Sequence, residues 1–378
     1  MTPNDFRALF PSAAKCIHLN HAGTAPIAAP IAEAVQVVCA ELMSADSLTA
    51  YIHHNDRQEA LRERLARMAN VSPKTLAFVR NTSHAISIVA QAIPFQAGDS
   101  IVLPRMEYPA NVYPWMGQEV RGATVRLVES RESGQVVEED LMAACDASTR
   151  VMAVSWVQWT TGQKLDLQKL GTFCRAKGIL LAVDIVQGFG ALRIDLTNLP
   201  VDFAAFGCHK WLLAPGGIGG LYVREEVFPT LLPTNLGWNS VQNPMDWDNL
   251  HYDRLRDTPK RFEEGTPALL ATAALLKSVE LLETVGFERV EERVLALAQH
   301  THRLLQDRGV IVVSPTVGER RSGIVAFRHP SLPHEEILEI WAKQRVVAAE
   351  RGGNLRFSPH VYNTEEEIAE AVATIPTG

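Results

Sequence analysis

Apolar positions along the chain alternate between two patterns. Short continuous apolar runs bounded by turn residues predict strands at 75–79, 101–103, 124–128, 151–155 and 179–183. Between them the apolar spacing becomes helical. Helices are predicted from Ile31, over 58–68, from Thr82 or Ser83 through Ile86, Val89 and Ile93, from Ala110, over 138–145 and over 166–177. In 58–68 Leu61, Leu65 and Met68 share one face, which leaves Arg62, Glu63, Arg64 and Arg67 to solvent. The run ILLAV at 179–183 has no polar alternation, so it suits a strand covered on both faces. The alternation as a whole predicts an α/β large domain with a mostly parallel central sheet covered by helices.

After Glu264-Gly265-Thr266-Pro267 the pattern changes. Two long helices stop at Gly286 and Gly309, short strands follow at 310–313 and 323–327, then a helix at 334–343, strands around Val346 and at 355–358, and a last helix from Thr364. These elements predict a smaller C-terminal α+β domain. The expected division is an N-terminal segment 1–30, a large domain 31–265 and a small domain 266–378, with HLNHAGTAP at 18–26 a short strand entering a Gly/Pro loop.

Composition narrows the partners. The formal charge of −7 over 378 residues and the lack of a one-sided Lys/Arg cluster argue for a small-molecule ligand, with no nucleic acid and no membrane as partner. Cys16, Cys39, Cys145, Cys174 and Cys208 are scattered without metal-ligand spacing, which predicts reduced thiols in a cytoplasmic protein and no metal site. The opening MTPNDFRALFP lacks the apolar core of a signal peptide, and no apolar run is long enough to cross a bilayer.

Ligands of parallel sheets lie at the carboxyl ends of the strands, and polar residues gather there: Thr82 and Ser83, Glu107 and Tyr108, Gln158, Asp184 and Gln187. The stretch 201–224 reads as strand, turn, His209-Lys210, glycine-rich turn and strand. A lysine so placed is desolvated, which favours the neutral amine that attacks aldehydes; a snorkelling lysine beside a core histidine would leave the same pattern. Asp184, ending an apolar strand, calls for a cationic partner such as a protonated pyridine nitrogen, or else caps the next helix. Thr82 and Ser83 open a helix whose N-terminus suits a phosphate, as any capped helix would. Tyr108 could lie on a heteroaromatic ring or simply pack, and Gly216, Gly217, Gly219 and Gly220 allow close backbone approach.

In order, HLNHAGTAP, RNTSHAI, MEYPANVYPW, TTGQKLDL, VDIVQGFGAL, HKWLLAPGGIGGLYV, RFEEGTP and RFSPHVYNT resemble, nearly end to end, the class V aminotransferase and cysteine desulfurase group of fold-type-I pyridoxal phosphate enzymes. The resemblance implies pyridoxal 5′-phosphate as cofactor, Lys210 as its Schiff-base lysine, Asp184 on the ring nitrogen, Gln187 on the phenolic oxygen and Tyr108 stacked on the ring. It further implies Thr82, Ser83 and His209 around the phosphate, Thr266 reaching in from a neighbouring subunit of a homodimer with shared active sites, and Arg356 on the substrate α-carboxylate. His21, His53, His54, Trp159 and Trp238 could line the substrate side-chain pocket, with surface or core placement the ordinary alternative for any one of them.

The departures from the pattern bear on the reaction. Gly207 stands where the family has a serine, and Trp159 stands where an asparagine is frequent, a change similar to the cysteine and cystine C–S lyase branch. The loop VVAAERGGN before RFSPH has no cysteine, and Cys208 is too closely tied to His209 to swing, so transfer of sulfur to a protein thiolate is disfavoured. The expected function is chemistry at the α-carbon of a small amino acid through an external aldimine, with Lys210 as general base and aminotransferase-like activity placed ahead of C–S β-lyase activity. Desulfurase or epimerase activity comes lower. A catalytically silent sensor that keeps the cofactor is the non-enzyme alternative, and it would be expected to carry a DNA-binding unit absent from this pattern.

Overall fold

The structure is a computed structural model that describes residues 1–44, 47–131, 134–250, 252–315 and 318–377. Its helices are α1 (Pro3–Arg7), α2 (Ala29–Met43), α3 (Ser47–Ala69), α4 (Thr82–Ala92), α5 (Tyr113–Met116), α6 (Glu138–Ala143), α7 (Leu167–Lys177), α8 (Leu269–Val285), α9 (Phe287–Asp307), α10 (His334–Lys343) and α11 (Glu365–Ala373). The strands are β1 (Ile17–His18), β2 (Leu76–Val79), β3 (Ser100–Pro104), β4 (Thr124–Val128), β5 (Thr149–Ser155), β6 (Leu180–Asp184), β7 (Phe203–Gly207), β8 (Gly219–Val223), β9 (Ile311–Val312), β10 (Val325–Arg328), β11 (Val346–Val347), β12 (Ala349–Arg351) and β13 (Asn354–Phe357).

A seven-stranded sheet in the order β2-β8-β7-β6-β5-β3-β4 forms the centre. Strands β4, β3, β5, β6 and β7 run parallel, and β8 runs antiparallel to both of its neighbours. Side chains alternate across it as a period of two requires. Met152, Val154, Leu181, Val183, Ala204 and Phe206 join one buried cluster with α2, α3, α7 and α8. Val151, Ala153, Ala182, Phe203 and Ala205 join a second with α4 and Trp115. Both faces are therefore dry, and each fully buried Leu, Val or Phe contributes about 1.5–3 kcal/mol, which is why these strands carry no polar alternation.

The antiparallel neighbours β7 and β8 are joined by residues 208–218, and this connection carries His209 and Lys210 past the carboxyl end of β7. Glycine is required on β8. A Cβ at Gly220 would come 2.2 Å from the Phe206 ring, and one at Gly219 would come 2.4 Å from the Phe206 carbonyl oxygen.

A third cluster packs β10, β13, α10 and α11 through Val325, Phe327, Leu355, Phe357, Trp341 and Ile368, and it takes in Ile17 and Leu19 from the N-terminal stretch. There β12-β13-β10-β9 form an antiparallel sheet, while β1 pairs in parallel with β11 through Ile17↔Val346 and His18↔Val347. The first thirty residues thus reach the end of the chain in space.

Three local expectations change. The cap of α4 is Asn81, whose Oδ1 accepts from His84 N, rather than Thr82 or Ser83. A continuous helix from Ala110 does not form; Pro109 and Pro114, which cannot donate a backbone N–H, each start a new short turn. Arg62 is buried rather than solvated, because its guanidinium pairs with Glu263 at 2.7 Å, donates to the Leu76 carbonyl and lies over the Phe78 ring.

Candidate active site

The strands of the parallel sheet end in polar groups that converge. Ser155 closes β5 and Asp184 closes β6, and the two lie opposite each other in register. Lys210 follows β7, and Thr82 opens α4 just beyond β2. These ends surround a cavity of about 230 Å³ lined by Thr82, Ser83, Tyr108, Asp184, Gln187, His209, Lys210 and Arg356, all of which the sequence had singled out. Trp159 lines it as well, together with Asn81 and Arg351, which sequence reasoning had not proposed.

Five residues named from the sequence for cofactor or substrate do not line this cavity, among them Thr266, whose expected role is in the site of a neighbouring subunit. Thr266 lines a separate cleft with Arg80, His84 and Gly265. His21 is fully buried behind the cavity wall, with its Nδ1 paired to the Ser358 carbonyl at 2.9 Å and its Nε2 to the Tyr362 hydroxyl at 2.8 Å. Burial and the neighbouring His18 and His360 keep its ring neutral well below the usual histidine range. His53 faces Glu41, His54 is buried within α3, and Trp238 sits half-exposed on a turn; none of the three lines the cavity.

Desolvation sets the electrostatics. Asp184 is 3 % exposed, and its Oδ1 accepts a single backbone bond, from Val186 N at 2.9 Å. Burial pushes its carboxyl up, and Lys210 opposes that rise. Burial also pulls the Lys210 ammonium down, against the attraction of Asp184, and the nearby Arg356 and Arg351 lower it further. A neutral amine is thereby accessible near neutral pH. The Nζ lies 5.5 Å from the centroid of the Tyr108 ring, and Trp159 meets that ring edge-on at 5.3 Å.

Behind this wall Glu107 is buried and accepts from Ser155 N, Ser155 Oγ, Asn111 Nδ2 and Gln158 Nε2. Four donors on one carboxylate lock the turn carrying Tyr108 to the end of β5. Gln187 is held in the same way: its Nε2 donates to the Ala22 carbonyl and its Oε1 accepts from Trp211 Nε1, leaving one amide hydrogen uncommitted. Arg356 donates to the Trp159 carbonyl at 2.6 Å and to Asn20 Oδ1 at 3.3 Å, while its buried Nε has no partner among the described residues.

These residues fit pyridoxal phosphate. The first N–H groups of α4, at Thr82 and Ser83, have no intrahelical carbonyl to meet and suit a phosphate. A Cβ at Gly207 would lie 3.1 Å from Thr82 Oγ1 and 3.3 Å from His209 Nδ1, so the missing serine side chain would fall within this same group. The desolvated lysine and carboxylate share one small cavity with the Arg356 side chain on its wall. No cysteine lines the cavity, and Cys208 is wholly buried, which pushes its thiol far up. Among the described residues no group of three or more His, Cys, Asp or Glu is placed to hold a metal, and no helix is long and apolar enough to cross a membrane.

Fold and site together define a pyridoxal-phosphate-dependent enzyme. The Aminotransferase class-V family profile matches residues 17–370, and the chain belongs to that family. It is 30 % identical to a probable cysteine desulfurase of Methanothermobacter thermautotrophicus over 97 % of this chain and 96 % of the relative. It is 33 % identical to the isopenicillin N epimerase of Streptomyces clavuligerus, covering 81 % of each. Among solved structures, the cystine C–S lyase C-DES in complex with its product cysteine persulfide matches with a TM-score of 0.89 at 26 % identity, covering 96 % of this chain and 98 % of that one. A C-DES mutant with glycine covalently linked to its pyridoxal phosphate cofactor matches with a TM-score of 0.90 at 26 % identity, covering 97 % and 98 %.

Proposed function

We propose that the enzyme takes a proton from the α-carbon of a small amino acid and removes its amino group as in transamination, in the manner of a class V aminotransferase. The observation that carries this reading is that Lys210 is, among the described residues, the sole amine on the cavity wall and is desolvated toward its neutral form. One amine can take a proton from one carbon and deliver it to another nearby, so no second base is required. When bound, pyridoxal phosphate supplies an aldehyde and a ring that draws electrons away from the α-carbon.

The chain's own residues divide the remaining work. Thr82, Ser83 and His209 would hold the phosphate, Asp184 the ring nitrogen, Gln187 the phenolic oxygen and Tyr108 the ring face. Arg356 would hold the substrate carboxylate, its fork fixing which Cα bond faces Lys210. Thr266 would serve the active site of a second copy. The exposed Trp247, Leu250 and Tyr252 support such a homodimer, since clustered exposed apolar side chains mark interfaces. Five free cysteines support a reducing, cytoplasmic setting.

A second reading is β-elimination from cysteine or cystine, favoured by Trp159 on the wall and by the likeness to C-DES. The test is incubation of the purified holoenzyme with a panel of amino acids, read by mass spectrometry and absorbance. Conversion of the cofactor to its amine form with release of the matching oxo acid supports the first reading. Release of pyruvate and sulfide without that conversion overturns it in favour of elimination, and loss of substrate chirality alone overturns it in favour of epimerisation.

A further inference from the structure

The hairpin β12–β13 sets two arginines on one face. Its register pairs Arg351 with Asn354 and Ala349 with Arg356, so these four residues point to the same side, and Glu350 and Leu355 to the other. Both arginines line the 230 Å³ cavity. The hairpin turns through Gly352 and Gly353, each with left-handed φ, at +56° and +74°. A Cβ at Gly352 would lie 2.6 Å from Thr160 Cγ2, so the tip is seated against the residue that follows Trp159. Arg351 therefore rides on a fixed strand end, at the place where the sequence suggested a loop.

Neither guanidinium has a carboxylate partner among the described residues. Arg351 donates to the carbonyl of its own neighbour Glu350, and Arg356 to Trp159 O and Asn20 Oδ1, with its buried Nε unpaired among those residues. Among the described residues Asp184 is the one carboxylate on the cavity wall, and its charge already interacts with that of Lys210. Burial, with the nearby Arg351 adding to it, pulls Arg356 down to about 9. Arg356 is buried and Arg351 is exposed at the mouth of the cavity, and this surplus of positive charge attracts anions to the site. Under the function proposed above, on which this inference rests, the cofactor phosphate goes to the α4 end and the substrate α-carboxylate to Arg356. One guanidinium is left over.

We propose that Arg351 binds a second anionic group on the substrate side chain, so that the enzyme selects small amino acids ending in a carboxylate or sulfinate over neutral ones of the same length. A planar five-donor fork matches either oxyanion in a bidentate manner. Arg351 is a binding and specificity residue and takes no part in moving the proton.

The test titrates the holoenzyme calorimetrically with succinate and glutarate, and with butyrate and pentanoate as monocarboxylates of equal length. The wild type is expected to bind the dicarboxylates at least tenfold tighter. Arg351→Gln should erase that preference while leaving butyrate and pentanoate unchanged, and Arg351→Lys should restore part of it. In turnover, KM for aspartate, glutamate or cysteine sulfinate should rise about tenfold in Arg351→Gln, by a larger factor than any fall in kcat, and comparison of the carboxylates with the sulfinate identifies the preferred oxyanion. Equal binding of mono- and dicarboxylates by the wild type, no carboxylate binding at all, or an unchanged preference in Arg351→Gln overturns the proposal. Borohydride fixation of the cofactor on Lys210, measured on the same samples, reports separately on the underlying function; its absence would overturn that reading whatever the carboxylates do.

Discussion

The Nζ of Lys210 and the ring of Tyr108 face each other across the cavity, with 5.5 Å between nitrogen and centroid. They come from different turns, one after β7 and one after β3, and Glu107 anchors the second of these to the end of β5. What Tyr108 presents at this distance is a ring face. Tyr108→Phe should keep the cofactor Kd within about twofold, whereas Tyr108→Ala should weaken it roughly tenfold, in line with about 0.5–1.5 kcal/mol for a stacked aromatic pair. Fluorescence titration of the stripped protein with pyridoxal phosphate measures both, and equal losses in the two variants would shift the role to the hydroxyl.

Lys210→Ala should abolish borohydride fixation of the cofactor and all turnover while far-UV circular dichroism stays unchanged. A fully active variant would refute the assignment. In the wild type the amine, drawn down to about 8 by burial, becomes neutral as pH rises through that value and not at the ordinary lysine range. Uptake of pyridoxal phosphate by stripped protein, trapped with borohydride at intervals, should accelerate up to about pH 8 and then level off. A rate still climbing toward pH 10 would mean an unperturbed lysine.

Gly207→Ser should tighten cofactor binding. The new Cβ would sit 3.1 Å from Thr82 Oγ1, a hydroxyl free to rotate aside, and its own hydroxyl would join Thr82 and His209. A hydrogen bond to a charged group contributes about 1.5–3 kcal/mol, so loss of cofactor on dialysis should slow by roughly tenfold or more. No change would place the phosphate away from position 207.

Glu107→Gln should destabilise the fold and loosen the cofactor together. The carboxylate accepts from four donors, and an amide nitrogen in place of either oxygen would confront two of them. Leaving such buried donors unmet costs about 1–3 kcal/mol each. Thermal unfolding should fall by several degrees, and cofactor affinity should drop with it. A variant with unchanged Tm and a weaker cofactor would assign Glu107 a direct electrostatic role instead.

The sequence by itself determined the strand and helix alternation, the two-sided burial of β6, and the placing of Thr82, Ser83, Tyr108, Asp184 and Gln187 at the strand ends. Each follows from local spacing: a parallel sheet covered on both faces demands unbroken apolar runs, and whatever polar residue follows such a run lies at the carboxyl edge. Tertiary structure alone decided which polar groups away from those ends are buried and with what partner. Arg62 reads as surface in its helix until Glu263, two hundred positions later in the chain, meets it. His21 reads as pocket-lining until Ser358 and Tyr362 occupy both its ring nitrogens. Arg351 reads as a loop residue until the β12–β13 register turns it to the same side as Arg356. In each case the deciding neighbour is distant along the chain, and spacing within a single element holds no information about a partner brought in by folding.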